Sequence, residues 1–268
     1  MTSAKQVTVA VLGLGEAGGE IARDLVSAGA LVRAYDPAVP APDGTTAAVD
    51  EADAATGADL VLSATSATPS AGAQRAGITA VGDGVWADLN TASPGAKARL
   101  ARIAADHGVA FADVAIMAPV PGRGLHTPML ASGPAAADVA RILNPLGASV
   151  DVLDGPPGLA AERKLLRSVF FKGMAAAVVE ALDAGRAAGC EEWLRGVIAE
   201  ELAGAGESTV DRLVVGTRRH AVRRAHEMAA ATEMLTELGV EPTIAAASRD
   251  LLARLAAVTR SGRTPTGP

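Results

Sequence analysis

Cysteine occurs once in the 268 residues, at Cys190, which excludes an intrachain disulfide and suits a reducing compartment. Aromatic residues make up only 2 % of the chain, so its 49 % apolar content is carried mostly by Ala, Val and Leu, which favours closely packed helices. Lysine is also scarce, with four against twenty arginines. A formal charge of −6 argues against nucleic acid or anionic lipid as the main partner. No segment approaches eighteen uncharged apolar residues, and the first twenty residues have no basic stretch leading into a long apolar run. Neither a signal peptide nor a membrane span is expected, and the chain reads as a soluble, cytoplasmic protein. Four dispersed histidines and one cysteine give no metal-ligand spacing, so no metal is expected. There is no G-x-S-x-G nucleophile elbow either.

The first half alternates short apolar runs with helical patterns. Strands are predicted at 7–12, 31–36, 59–65, 85–90 and 109–117, with helices near 20–29 and 94–108. Strand, helix, strand at this rhythm means βαβ units and a parallel sheet. After 150–158, which contains Gly-Pro-Pro-Gly, only helical patterns remain, at about 159–188, 191–205, 208–238 and 243–259. The expected fold is α/β, a doubly wound Rossmann-type parallel sheet followed by an all-α C-terminal domain. The expected domains are a dinucleotide-binding domain over 1–155 and an all-helical substrate and dimerisation domain over 156–268. The tail 261–268 is expected to be disordered.

Between the first strand and the first helix lies "GLGEAG": Gly13, Leu14, Gly15, Glu16, Ala17, Gly18. G-x-G-x-x-G alone is weak, but here it follows a strand, opens a helix and precedes a second strand ending in Asp36. Gly13 suits the tight turn, Gly15 the close approach of a pyrophosphate, and Gly18 close helix–strand packing. The pyrophosphate would meet the N–H groups at the helix N-terminus. Asp36 is placed to accept from the ribose hydroxyls and to repel a 2′-phosphate, unless it is only a turn residue before Pro37. NAD is the expected cofactor, with NADP possible because Arg33 lies nearby.

These motifs, in order, resemble those of the β-hydroxyacid dehydrogenases, relatives of 6-phosphogluconate dehydrogenase. "GLGEAG" is similar to the family's G-x-G-x-M-G, with Ala17 in place of Met. "DLNTASP", Asp88 to Pro94, resembles D-x-S-T-x-S-P, the loop at the nicotinamide end of the cofactor. "MAPVPGRG", Met117 to Gly124, looks like the substrate loop D-A-P-V-S-G-G, with Pro121 and Arg123 replacing a serine and a glycine. "GLAAERKLLRS", Gly158 to Ser168, is similar to G-x-G-x-x-x-K-x-x-N-N, with Lys164 on the family's lysine and Ser168 on an asparagine. "HEM", from His226, aligns loosely with a K-D-L helix start that reaches the cofactor region. The resemblance implies a nicotinamide-dependent oxidoreductase, usually a homodimer, acting on a small hydroxy acid or the matching carbonyl acid. It implies Asn90, Thr91 and His226 as cofactor residues, joined by Thr65 and Ser66 after the 59–65 strand. Pro121, Gly122, Arg123, Gly124 and Lys172 form the expected substrate set.

Two of the four lysines stand eight residues apart in "ERKLLRSVFFKG", 162–173. At ~100° per residue, Leu165, Leu166, Val169, Phe170 and Gly173 share one side. Lys164, Ser168 and Lys172 share the other, with Arg167 and Phe171 among them. The plain alternative is an amphipathic helix with a solvated basic face, but Phe171 sits in the middle of that face. A site that needs a group able to release and regain a proton cannot use Arg. Lys164 is therefore the expected proton carrier, its proton affinity lowered by partial burial and by Arg167 and Lys172. Ser168, one turn on, would orient the lysine or the substrate. Lys172 would bind a distal carboxylate or phosphate, or simply be exposed. The glycines of 121–124 would turn N–H groups toward an anion, with Arg123 adding a contact, or the prolines would merely stiffen a surface loop. "RRHAVRRAHEM", 218–228, reads as one helix with a solvated, salt-bridged face, or as a reach toward an anion or cofactor. Two other readings stay open. Imine reduction is known on this architecture, but there an acid or tyrosine commonly stands at the lysine position. A nicotinamide-binding regulatory protein without turnover is the non-enzymatic reading.

Overall fold

The computed structural model describes residues 6–66 and 70–260, so the tail 261–268 lies outside the described residues. Eight strands form one sheet: β1 Thr8–Leu12, β2 Leu31–Tyr35, β3 Thr46–Ala47, β4 Leu60–Ser63, β5 Val85–Asp88, β6 Ala110–Ile116, β7 Pro128–Ser132 and β8 Ser149–Leu153. Their spatial order is β3-β2-β1-β4-β5-β6-β7-β8. All neighbours from β3 to β6 are parallel, β7 runs antiparallel to β6, and β8 is parallel to β7. This is the doubly wound order in which the crevice lies at the carboxyl ends of β1 and β4. The helices between strands are α1 Glu16–Ser27, α2 Glu51–Ala55, α3 Ser70–Gly77, α4 Pro94–Asp106 and α5 Ala136–Leu143.

Alternation along the strands splits the core in two. Val9, Val11, Leu60, Leu62, Ala87 and Val114 face α1 and α5 on one side of the sheet. Ala10, Leu12, Val61, Trp86 and Phe111 face α2 and α4 on the other. The sequence pattern did not announce β7 or β8. Pro128 opens β7, and β8 is an edge strand carrying Asp151, so neither makes the uninterrupted apolar run of a covered strand.

Five helices follow: α6 Leu159–Ala187, α7 Glu191–Ala203, α8 Glu207–Arg219, α9 Ala221–Glu237 and α10 Thr243–Arg260. The chain separates into two compact units, Met1–Arg167 and Ser168–Pro268. The division falls inside α6 because the helix's first turn is tied to the sheet by side chains. Gly158 N and Ala161 N donate to Asp113 Oδ2 at 3.1 and 2.8 Å, and Ala160 N donates to Ser132 Oγ at 3.0 Å. In the helical unit, Ala184, Leu235 and Ala245 form a small core with Met228 and Val240 packed against it.

Two expectations need correction. The predicted 208–238 helix is two helices, broken at His220 (φ −110°, ψ 20°), so "RRHAVRRAHEM" spans a helix end and a helix start. The break sets Arg218 and Arg219 in the last turn of α8, where the carbonyl ends favour cations. An unbroken helix would instead stack Arg219 one turn from Arg223, a repelling pair. Nor is the basic side of 162–173 solvated throughout, as the plain alternative would have it: Arg167 and Lys172 are exposed but Lys164 and Ser168 are not. Leu166, Val169 and Phe170 are exposed (Val169 by 76 %), whereas Lys164 and Ser168 are half-buried.

Candidate active site at the carboxyl edge of the sheet

The three glycines of the turn after β1 stand in different surroundings. Gly13 has φ +90°, and a Cβ there would lie 2.6 Å from the Ala64 carbonyl. A Cβ on Gly18 would come within 1.9 Å of Gly13 O. A Cβ on Gly15 would meet nothing within 4 Å: it points into the open space before α1, and α1 has no side-chain cap at this residue. Gly13 and Gly18 are thus fixed by the fold, while Gly15 keeps clear the place where phosphate oxygens would face the helix N-terminus. Leu14 is buried, Ala17 is half-buried, and exposed Glu16 is the first residue of α1. Gly13→Ala or Gly18→Ala is expected to lower Tm outright. Gly15→Ala should leave Tm unchanged and weaken NADH binding at least tenfold, which thermal melts and fluorescence titration would check; equal behaviour of the three variants would contradict this division.

Asp36 follows β2 directly. Its Oδ2 accepts from Leu14 N at 2.8 Å, and its Oδ1 accepts from Ala38 N and Val39 N at 2.8 and 3.0 Å. Partial burial pushes its carboxyl up, but the Leu14, Ala38 and Val39 N–H groups outweigh this and hold it below the ordinary 3.8. It is an anion that fixes the glycine turn, with lone-pair capacity left for a further donor. Arg33 is committed elsewhere: its guanidinium donates to Asp53 Oδ1 and to Asp53 O, both at 2.6 Å. Thr65 is half-buried with its backbone against Gly13, and its hydroxyl donates to Ser66 O at 3.3 Å. Ser66 itself is exposed.

A buried charge cluster that sequence reasoning missed lies beneath the carboxyl ends of β5 and β6. Asp88 and Asp113 are register partners on these adjacent strands, and both are 0 % exposed. Like charges so placed repel, and Lys97 from α4, 1 % exposed, stands between them. Lys97 Nζ donates to Asp88 Oδ2 at 2.6 Å and to Asp88 O at 2.8 Å. It lies 3.0 Å from Asp113 Oδ1, off the axis of a directed hydrogen bond, so that contact is an ion pair only. Asp88 Oδ1 accepts from Asn90 Nδ2 at 2.6 Å and from Ser70 Oγ at 2.9 Å. The signals in the sequence were an acid inside each of two buried apolar runs and a lysine where this chain habitually uses arginine.

Beside this cluster Asn90, Thr91, Ala92, Asp113, Ala161 and Lys164 line one closed crevice, too narrow to admit a water molecule. Three sequence-predicted residues, Asn90, Thr91 and Lys164, therefore come together. Ser93 caps α4 behind them, accepting from Ala96 N at 3.2 Å. Ser168 and exposed Lys172 follow Lys164 at one and two turns along α6. The 121–124 loop packs differently from expectation. Gly122 N donates to Glu20 Oε1 at 2.9 Å and Gly124 N to Val120 O at 2.9 Å, so both N–H groups are satisfied within the chain. Leu125 N donates to Asp24 Oδ2 at 2.8 Å, so Glu20 and Asp24 of α1 hold this loop. Pro121 and Arg123 are exposed. His226 is exposed on α9 in the helical unit. A larger cavity of about 460 Å³ in that unit is lined by Ala184, Trp193, Met228 and Leu235, and its one carboxylate, Glu180, accepts from Ile244 N and Ala245 N. Among the described residues no group of three His, Cys, Asp or Glu could hold a metal ion, and no helix is long and apolar enough to cross a membrane.

Residues 8–153 match the family model of the NAD binding domain of 6-phosphogluconate dehydrogenase. The chain belongs to this family. Residues 186–255 match a second model, described as a domain of unknown function (DUF1932). No curated protein matches. Among solved structures, an imine reductase from Streptomyces aurantiacus is 21 % identical with a TM-score of 0.79, covering 96 % of this chain and 100 % of that one. A reductive aminase from Aspergillus terreus, in complex with NADPH and ethyl levulinate, is 19 % identical with a TM-score of 0.78, covering 97 % and 95 %. A conserved protein of unknown function, described as structurally similar to 3-hydroxyacid dehydrogenases, is 25 % identical with a TM-score of 0.57, covering 96 % and 100 %. This family member is thus an NAD(P)-binding oxidoreductase with the architecture shared by hydroxyacid dehydrogenases and imine reductases.

Proposed function

We propose that the protein transfers hydride between nicotinamide and a small hydroxy acid, or the corresponding carbonyl acid, with Lys164 carrying the proton. The observation that supports this most is that Lys164 comes together with Asn90 and Thr91 along one narrow crevice. Gly13, Gly15, Gly18 and the start of α1 would hold the pyrophosphate, and Asp36 a ribose hydroxyl, which favours NAD over NADP. When bound, the nicotinamide supplies or accepts the hydride. In oxidation, neutral Lys164 takes the hydroxyl proton, and its ammonium then faces the oxygen on which negative charge develops. In reduction it returns the proton. Ser168, one turn on from Lys164 along α6, orients Lys164 or the substrate. On this reading 1–155 binds the dinucleotide, and 156–268 serves the substrate and the dimer.

Val169 and Phe170 on α6, Trp193 on α7 and Leu213 to Val215 on α8 are all exposed, too much apolar surface for one chain to leave in water. This supports a homodimer through the helical unit. Light scattering should give twice the 26.7 kDa chain mass, and a mass of one chain at micromolar concentration would contradict it. The likeness to imine reductases favours a second reading, reduction of C=N, which the lysine opposes. Turnover of a panel of 2-hydroxy, 3-hydroxy and phosphorylated sugar acids beside cyclic imines separates the two readings. Acid-only activity supports the first, and imine-only activity overturns it.

A further inference from the structure

The buried charges beside the crevice hold both of its walls. From Asp88 the contacts run to Asn90, whose Nδ2 donates to Asp88 Oδ1 at 2.6 Å. From Asp113 they run to the first turn of α6, through Gly158 N and Ala161 N. Lys97 joins the two carboxylates at 2.6 and 3.0 Å. Ala161 stands one turn before Lys164, and Asp113, Ala161, Lys164 and Asn90 line the same crevice. All these groups lie in the sheet-bearing unit. A hydrophobic residue at 113 would leave the Gly158 and Ala161 N–H groups without an acceptor, so the acid at this position is tied to the start of α6.

We propose that Asp113, braced by Lys97, is a positioning residue that fixes the start of α6 and so sets Lys164 against the Asn90–Thr91 wall of the crevice. The proposal rests on the reading of Lys164 as proton carrier only for its catalytic consequence; the placement stands on its own. Asp113 lines the same crevice as Lys164, so a carboxylate at 113 stands beside the Lys164 ammonium. Thr91, Ala92 and Ser93 add no charge to the opposite wall, and Glu162, Arg163 and Arg167 are the other charged groups near Lys164 on its own helix. Removing the Asp113 charge therefore makes the Lys164 ammonium easier to deprotonate.

The test is competitive acetylation of Lys164 against pH, read by peptide mapping, in wild type, Asp113→Asn and Ser132→Ala. Asp113→Asn keeps the buried pair Lys97–Asp88 neutral overall and retains an acceptor for the α6 amides. Ser132→Ala removes the uncharged cap on Ala160 N and serves as the control. In Asp113→Asn, Lys164 should label about 3–10-fold faster near neutral pH, with NADH affinity within about twofold of wild type. Ser132→Ala should label like wild type. Equal labelling in all three proteins would overturn the proposal, as would an equal change in both variants. If Asp113→Asn does not fold, hydrogen exchange of the wild type decides. Protected Gly158 and Ala161 amides support the bracket, and exchange as fast as at a frayed helix start overturns it. If labelling shifts but Lys164→Ala turns over like wild type, the positioning stands and the proton-carrier reading falls.

Discussion

Lys97→Met is expected to be the most destabilising single substitution in the sheet-bearing unit. Methionine fits the volume of the aliphatic stem but leaves Asp88 and Asp113 facing each other on adjacent strands, both out of contact with water. Breaking a buried ion pair from one side costs about 3–5 kcal/mol, because the uncompensated charge stays behind. At about 2–4 °C per kcal/mol for a unit of this size, Tm should fall by roughly 10 °C or more. The pH dependence identifies the cause. With the ammonium gone, one carboxylate must take up a proton to remain buried, so the variant should recover stability as the pH is lowered and lose it as the pH rises. Thermal melts from acid to neutral pH would check this. A uniform penalty across that range would mean that Lys97 contributes packing and not charge.

Lys164→Ala should have the largest effect on turnover. A positioned proton carrier contributes about 10²–10⁴ in rate, so kcat should fall by that factor while the nicotinamide site stays intact. The glycine turn packs against Ala64 and Thr65 and is tied to Asp36, none of which lies on α6. NADH affinity should therefore remain within about twofold of wild type, by fluorescence titration. Wild-type turnover in the variant would remove Lys164 from the chemistry. Joint loss of turnover and NADH binding would make it a cofactor residue.

How far the sequence disclosed this arrangement depended on whether a signal was local. The glycine turn was legible because its three glycines, the flanking apolar run and Asp36 lie within 30 residues, each with its own steric reason. Lys164 was legible through the scarcity of lysine and through a resemblance. The same scarcity applied to Lys97, but its partners come from two other segments, and only the pairing of β5 with β6 brings them together. Of the 121–124 loop, the Arg123 and Gly124 N–H groups are taken locally by Val120 O, but the partner of Gly122 N, Glu20, lies 102 residues away and no local pattern points to it. The 208–238 segment carries one unbroken helical pattern, and nothing in that pattern marks the break at His220. On α6, Leu166, Val169 and Phe170 share one side and are exposed, since periodicity finds a face without saying what covers it.

The most direct test of the account is initial-rate turnover of the hydroxy-acid and imine panel with NAD and NADP, wild type beside Lys164→Ala. The account predicts NAD-linked activity on at least one small hydroxy acid, weaker with NADP, that collapses in Lys164→Ala while NADH still binds. No turnover of any acid by wild-type protein that binds NADH, or equal turnover by the two proteins, would contradict it.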